Sequence, residues 1–285
     1  MHAMHEGYRD VCHVGRTCQE EWLSTSPTEG PPVSVVGRVS LVLEAFNAAG
    51  PLTLAQVTKK TGIPRSSAHR LLEQLASVGW LARSPEQTYE LGVKAYEMGQ
   101  AALNQNRLLH HARPVLQAFA RRTGYTIQLA VVDAADTVYL AKVNGRTSGP
   151  TPTAVGQRVP AHLTAVGRVI MANATVSKSY SLRGRKELSS TSSRETFVGK
   201  TSNKLAEELA QIREKGAAFD RGDAFPGIGC VGVSIGPPEH VYGNMAGLSI
   251  CSSIGSLDHQ KVIGPLRFTA RDIWDRCVAA DLASH

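Results

Sequence analysis

The stretch TLAQVTKKTGIPRSSAHRLLEQLASVG, from Thr53 to Gly79, decides the fold. Thr53 is a hydroxyl residue placed to cap the opening turn of a helix that carries Leu54, Val57 and Thr58 and stops near Gly62. Ile63 and Pro64 restart the chain, because a proline at a first helical position gives up only an amide with no intrahelical partner. In the second helix Ala68, Leu71, Leu72 and Leu75 recur at i, i+3, i+4 and i+7, an apolar stripe that must pack inward. The opposite face holds Ser66, Ser67, His69, Arg70 and Glu73. On an isolated helix such a face is ordinarily just solvated, so its meaning depends on what flanks it.

Downstream, Trp80 to Arg83 and Thr88 to Leu91 are short β-rich runs around the turn Ser84-Pro85-Glu86-Gln87, a hairpin directly after the second helix. Upstream, Val36, Val39, Leu43 and Phe46, with Val42 and Ala45 beside them, predict a further helix that ends at Gly50-Pro51. Helix, helix-turn-helix and wing make a compact DNA-binding module. In that setting Ser66, Ser67, His69 and Arg70 are candidate contacts to base edges in a major groove, with Arg65 and the wing residue Arg83 on phosphates. One helix and a wing cover only a few base pairs, which predicts a dimer on a palindromic operator.

The run GPLTLAQVTKKTGIPRSSAHRLLEQLASVGWLARSPEQTYELG, from Gly50 to Gly92, resembles the winged helix-turn-helix of the isocitrate lyase regulator (IclR) family of bacterial transcription factors. RVPAHLTAVGRVIMA, from Arg158 to Ala172, resembles that family's effector-domain signature. The resemblance covers about Val33 to Ala280 and implies a cytoplasmic, dimeric or tetrameric regulator that senses a small organic acid.

The residues at the second match carry their own argument. Thr164 is placed to cap a helix whose first amides belong to Ala165, Val166 and Gly167, and free amides at the positive end of a helix dipole form a carboxylate site. The resemblance places a small acid there and maps the family's other wall residues onto Asp220, Cys230, Ser249 and Cys251. The chain departs from the family pattern in having Arg168 for lysine, Cys251 for serine, and the less acidic run Arg221-Gly222-Asp223. A thiol in place of a hydroxyl makes the wall more apolar, which favours a larger or more aromatic acid over a glyoxylate-sized one.

Composition sets the outer limits. Of 285 residues 42% are hydrophobic and 19% charged, a globular composition. There is no apolar run of about 18 residues and no signal-peptide core near the N-terminus, so a cytoplasmic protein without a membrane partner is expected. The net charge of +7 suits a polyanion. Five cysteines, Cys12, Cys18, Cys230, Cys251 and Cys277, follow no disulfide-framework spacing. Cys12, His13 and Cys18 match no zinc pattern, and neither a metal nor a cofactor is expected.

The expected architecture is α+β: an N-terminal winged helix-turn-helix joined by a linker helix to a C-terminal α/β effector-binding domain with a helix-backed sheet. Its parts are a disordered arm over 1–32, the DNA-binding domain over 33–94, the linker helix over 95–108 and the effector domain over 109–285. Ala95, Met98, Ala102 and Leu103 form one apolar seam; Leu108, Leu109, Val115, Leu116 and Phe119 form another, with a break expected near Pro114. Beyond Gly124 the pattern predicts a hairpin over 126–143, helices over 164–173 and 202–215, strands over 230–235 and 245–251, and a last helix from about Leu257 to Ala280.

Two motifs point elsewhere. Gly227 to Gly232 spells GxGxxG, but Pro226 precedes it and a strand follows where a dinucleotide site needs a helix. Gly232 to Gly236 spells GxSxG, yet Pro237-Pro238 forbids the helix a nucleophile elbow requires. An enzyme that uses Cys230 or Ser234 beneath a DNA-binding head is the rival reading, and His162, His240 and His259 fall in no nucleophile-base pattern with them. A ligand-independent DNA-binding regulator is the third.

Overall fold

The computed structural model describes residues 34–47, 50–174, 203–236 and 246–282. The expected N-terminal arm, with Cys12, His13 and Cys18, lies outside them. The chain divides between Asn106 and Arg107 into two compact units.

The first unit begins with α1 (Val35–Glu44), capped by Ser34, whose hydroxyl accepts from the Gly37 amide at 3.0 Å. Val42 and Phe46 reach the core, but Val36 is 69% exposed. The expected stripe is cut short because the first turn of α1 lies outside the cluster, which Val39, Leu41, Leu43 and Ala45 border. Next, β1 (Leu52–Thr53) leads into α2 (Leu54–Thr61) through a reciprocal cap. The Thr53 hydroxyl accepts from the Gln56 amide at 3.3 Å, and the Gln56 side chain accepts from the Thr53 amide at 2.8 Å. Gly62 ends α2 at φ +67, a left-handed conformation that favours glycine.

The second helix of the motif, α3, spans Arg65–Ser77. Pro64 sits one position earlier than expected, as the N-cap, with its carbonyl accepting from the Ala68 amide at 2.9 Å. Ala68, Leu71, Leu72 and Leu75 are all buried, in one cluster with Val57, Ile63, Leu81 and Tyr89. The wing is β2 (Leu81–Arg83) and β3 (Thr88–Leu91), and β1 adds a third strand in the order β1-β3-β2. Then α4 (Val93–Gln105) buries none of its residues, and Asn106 leaves helical geometry at ψ 94.

In the second unit α5 (Arg107–Thr123) runs through Pro114 without the expected break. Leu108, Leu109 and Ala112 before the proline and Val115, Leu116 and Phe119 after it are buried, so packing holds both halves in line. Pro114 itself lies on the exposed side, where water can replace the missing amide.

Six antiparallel strands follow: β4 (Thr126–Asp133), β5 (Asp136–Val143), β6 (Arg158–Pro160), β7 (Ala218–Asp220), β8 (Ile228–Ser234) and β9 (Ala246–Ser253). Their order in the sheet is β6-β5-β4-β9-β8-β7. A helix α6 (Ala165–Ala174), preceded by a single 3-10 turn (Ala161–Leu163), packs with α7 (Asn203–Lys215) on one face. On the other face α5 packs with α8 (His259–Leu282). No described helix is long and apolar enough to cross a membrane.

Gly232, which the two rival motifs share, belongs to this packing. A Cβ on Gly232 would lie 2.6 Å from the Ala165 carbonyl carbon and 2.7 Å from the Val166 amide nitrogen, so only glycine lets the start of α6 rest on β8. Ser234 lies within β8, opposite Gly247 on β9, and not at a turn.

Candidate functional site

On α3, Arg65, Ser66, His69 and Arg70 are exposed and Ser67 partly so. Glu73, the fifth residue of that polar face, faces the wing instead. Its carboxylate accepts from the Tyr89 hydroxyl at 2.6 Å and from the Arg83 guanidinium at 3.1 Å, while Arg83 also donates to the Gln87 side chain and lies over the Tyr89 ring at 5.7 Å. Arg83 is therefore fastened to the helix by an ion pair before any outside partner arrives. The Tyr89 hydrogen bond, with Arg83 and His69 adding, holds the Glu73 carboxyl below its ordinary range.

The start of α6 forms the centre of the second site. Thr164, 3% exposed, accepts from the Gly167 amide at 3.0 Å and meets the Thr137 hydroxyl at 2.8 Å. Gly167 thus spends its amide on the cap and does not line the cavity; a Cβ there would meet the Ala161 carbonyl oxygen at 2.2 Å. Ala165 and Val166 do line it, and helix geometry leaves their amides without a partner inside α6.

The other walls come from distant segments. Asp220 is 2% exposed at the end of β7, and its Oδ1 accepts from the Gly222 and Asp223 amides at 2.9 and 2.7 Å. Burial pushes its carboxyl up, against the pull of those two amides. Cys230, Ser249 and Cys251 close the sheet side, and the Ser249 hydroxyl is buried without a hydrogen-bond partner. Sequence reasoning missed Tyr139, Thr151, Thr153, Phe225 and Ile228, which complete the lining with Pro152 and Ala224. The alternation of β5 points to Tyr139, but nothing local points to Thr151 and Thr153. They are brought over the cavity by Lys142, which donates to their carbonyls at 2.9 and 2.6 Å. The Thr151 hydroxyl is likewise buried without a partner.

The lining closes in tightly and leaves a free cavity volume of about 10 Å³. Beside it Arg168, 6% exposed, donates to the His162 and Phe219 carbonyls at 2.8 and 3.1 Å, to Glu208 at 2.8 Å and to Asp223. Among the described residues no three His, Cys, Asp or Glu side chains lie together as a metal would require.

A helix-turn-helix unit followed by an antiparallel sheet with a capped helix at its cavity has counterparts. Residues 35–85 match the IclR helix-turn-helix domain, and residues 100–274 match the description "Bacterial transcriptional regulator IclR C-terminal". The chain belongs to the IclR family. It is 30% identical over 228 residues to the DNA-binding transcriptional repressor YiaJ of Escherichia coli (strain K12), covering 77% of this chain and 79% of that one. To the transcriptional regulator XynR of the same organism it is 29% identical over 236 residues, 80% of this chain and 89% of the relative. An IclR homolog from Microbacterium hydrocarbonoxydans complexed with 4-hydroxybenzoate superposes with a TM-score of 0.68 at 23% identity, covering 86% of this chain and all (100%) of that one. The Thermotoga maritima IclR gives 0.57 at 25% identity, over 85% and 98%. This IclR-family protein is a transcriptional regulator with an N-terminal helix-turn-helix DNA-binding domain and a C-terminal effector-binding domain.

Proposed function

We propose that this regulator binds a palindromic operator as a cytoplasmic homodimer, or a tetramer of paired dimers, and that a small monocarboxylic acid in the C-terminal cavity changes its operator affinity. Ser66, Ser67, His69 and Arg70 read base edges, with Arg65 and Arg83 on phosphates. The exposed Val93, Tyr96 and Met98 of α4 support pairing of two such helices, with α4 serving as the linker. The acid's carboxylate lies on the Ala165 and Val166 amides, and Asp220, Cys230, Ser249 and Cys251 face its remainder. The observation that carries this reading is the coincidence, in one cavity, of a capped helix start and two buried hydroxyls that lack partners. The relative crystallised with 4-hydroxybenzoate supports an aromatic acid. The position of Ser234 inside a strand supports a protein without enzymatic activity, and no cofactor enters the scheme.

A panel of benzoate-sized and smaller monocarboxylates tests the sensing: at least one should raise the melting temperature and shift operator affinity, and a panel that does neither refutes it. Ala165→Pro deletes one cradle amide at a first helical position, where the preceding Thr164 is already extended at φ −102 and ψ 143. It should keep operator binding and lose the response to acid. Arg70→Ala should weaken specific binding by about 1–3 kcal/mol, and equal loss on all sequences would make it a phosphate contact instead.

A further inference from the structure

Two of the cavity-wall groups carry a chemistry beyond contact with an acid. Cys230 on β8 and Cys251 on β9 are directly opposed in the antiparallel register, and both are free thiols. Their Sγ atoms stand 2.6 Å apart. Directly opposed residues on neighbouring antiparallel strands have Cα atoms about 4.5–5.5 Å apart, inside the window of about 4.4–6.8 Å that a disulfide spans. The strands therefore need no rearrangement for these sulfurs to join. Both thiols line the cavity, whose free space is about that of one water molecule, and the Cys230 side chain is only partly buried.

We propose that Cys230 and Cys251 are a redox-active pair, which hydrogen peroxide entering through the effector cavity converts to a cross-strand disulfide. One sulfur, as thiolate, attacks a peroxide oxygen; the O–O bond breaks, and with a proton the departing hydroxide leaves as water. The resulting sulfenic acid is attacked by the second sulfur, the S–O bond breaks, and a second water leaves. One peroxide and two thiols give one disulfide and two waters, with two electrons passing from sulfur to oxygen. Because the second thiol is already in contact, closure outruns further oxidation to sulfinic acid. Contact with the Cys251 thiol, burial and the nearby Asp220 carboxyl all push the Cys230 thiol well above its usual range. The first step is accordingly the slow one.

The link to effector binding rests on the sensing role proposed above; the bond itself does not. The test uses the full chain with Cys12→Ser and Cys18→Ser, so that these two thiols cannot contribute. After hydrogen peroxide and alkylation of remaining thiols, mass spectrometry should find a loss of about 2 mass units and a cross-link between the Cys230 and Cys251 peptides, reversed by dithiothreitol. With Cys251→Ser added, the cross-link should vanish and Cys230 should accumulate oxygen instead. Full alkylation of both thiols after peroxide, or sulfinic acid at either site without a cross-link, overturns the proposal. Benzoate at about ten times its Kd should slow cross-linking about tenfold by filling the approach. An undiminished rate with the cross-link formed upholds the redox pair and counts against occupation of the cavity by the acid.

Discussion

Gly232→Ala probes the contact on which the effector site is built. The added Cβ would lie 2.6 Å from the Ala165 carbonyl carbon and 2.7 Å from both the Ala165 oxygen and the Val166 nitrogen. Ordinary contact begins at 3.4 Å, so something must yield by about 0.8 Å. Both sides are backbone: β8 is held between β7 and β9, and α6 is anchored by its cap and by Arg168. Overpacking of this kind costs about 1–3 kcal/mol, and a rigid obstacle puts this site at the upper end. Alanine also restricts the unfolded chain, which returns about 0.4–1 kcal/mol, so the net loss should be about 2 kcal/mol. Urea unfolding followed by circular dichroism measures it, with an unchanged m value showing that the unfolded reference is the same. Because the displaced atoms include the proposed carboxylate cradle, acid affinity should fall about tenfold or more, equivalent to one misplaced hydrogen bond. Gly255→Ala, which meets nothing within 4 Å, is the control and should stay within about 0.5 kcal/mol of the parent. If Gly232→Ala matches that control in stability and still answers to acid, the close approach of α6 to β8 is wrong.

Leu72→Ala, at 0% exposure in the first unit, should cost about 2–5 kcal/mol in urea unfolding of that unit and abolish operator binding near its midpoint. Asp220 keeps its proton in the folded protein over a window above the ordinary carboxylate pKa, so its contribution to stability is full below that value and is lost as pH rises through the raised one. Asp220→Asn retains the Oδ1 that accepts from Gly222 and Asp223, and should flatten this decline in urea midpoints taken from about pH 4 to 8. Glu73 has the opposite sign: its contribution is present above the ordinary carboxylate pKa and is lost as pH falls through the lowered one. Glu73→Gln should remove that acid loss and, by releasing Arg83 for a phosphate, steepen the salt dependence of DNA binding by about one counterion.

How far the sequence foretold this structure depends on the range of the forces involved. The pair α2 and α3 is legible because a local period, a capping hydroxyl and Gly62 agree within one short stretch. Pro114 reads as a break because propensity speaks against it, whereas burial on both sides of it is a tertiary fact. Strands β1, β6 and β7 have two or three residues each, too few to show an alternation, and they exist because longer strands offer an edge. Six of the seven expected effector residues line one cavity, four of them named by resemblance and not by any local pattern. Gly167 departs because its amide has a nearer acceptor in Thr164. That Cys230 faces Cys251 follows from the β8-β9 register, which no spacing in the chain reveals.

The same long-range contacts determine which parts of the domain yield to a ligand. With about 10 Å³ open, a benzoate-sized acid enters only if the lining moves. The sheet side cannot give way, because β8 and β9 are paired along their length and α6 rests directly on them. The remaining walls are two connecting segments, each secured by one cation: the one with Thr151 and Thr153 by Lys142, and the one after Asp220 by Arg168 through Asp223. These segments cover the Ser249 and Thr151 hydroxyls, which are buried without a hydrogen-bond partner, and the Asp220 carboxyl, which burial keeps raised. A ligand that satisfies those groups lowers the free energy of the open arrangement relative to the closed one, and only that difference can drive the change. Arg168 connects the segment after Asp220 to the rest of the domain, since it holds Asp223, Glu208 of α7 and the turn before α6 at once. Displacing Asp223 would leave a buried guanidinium partly unpaired, so a shift of that segment would load the Arg168–Glu208 contact between α6 and α7.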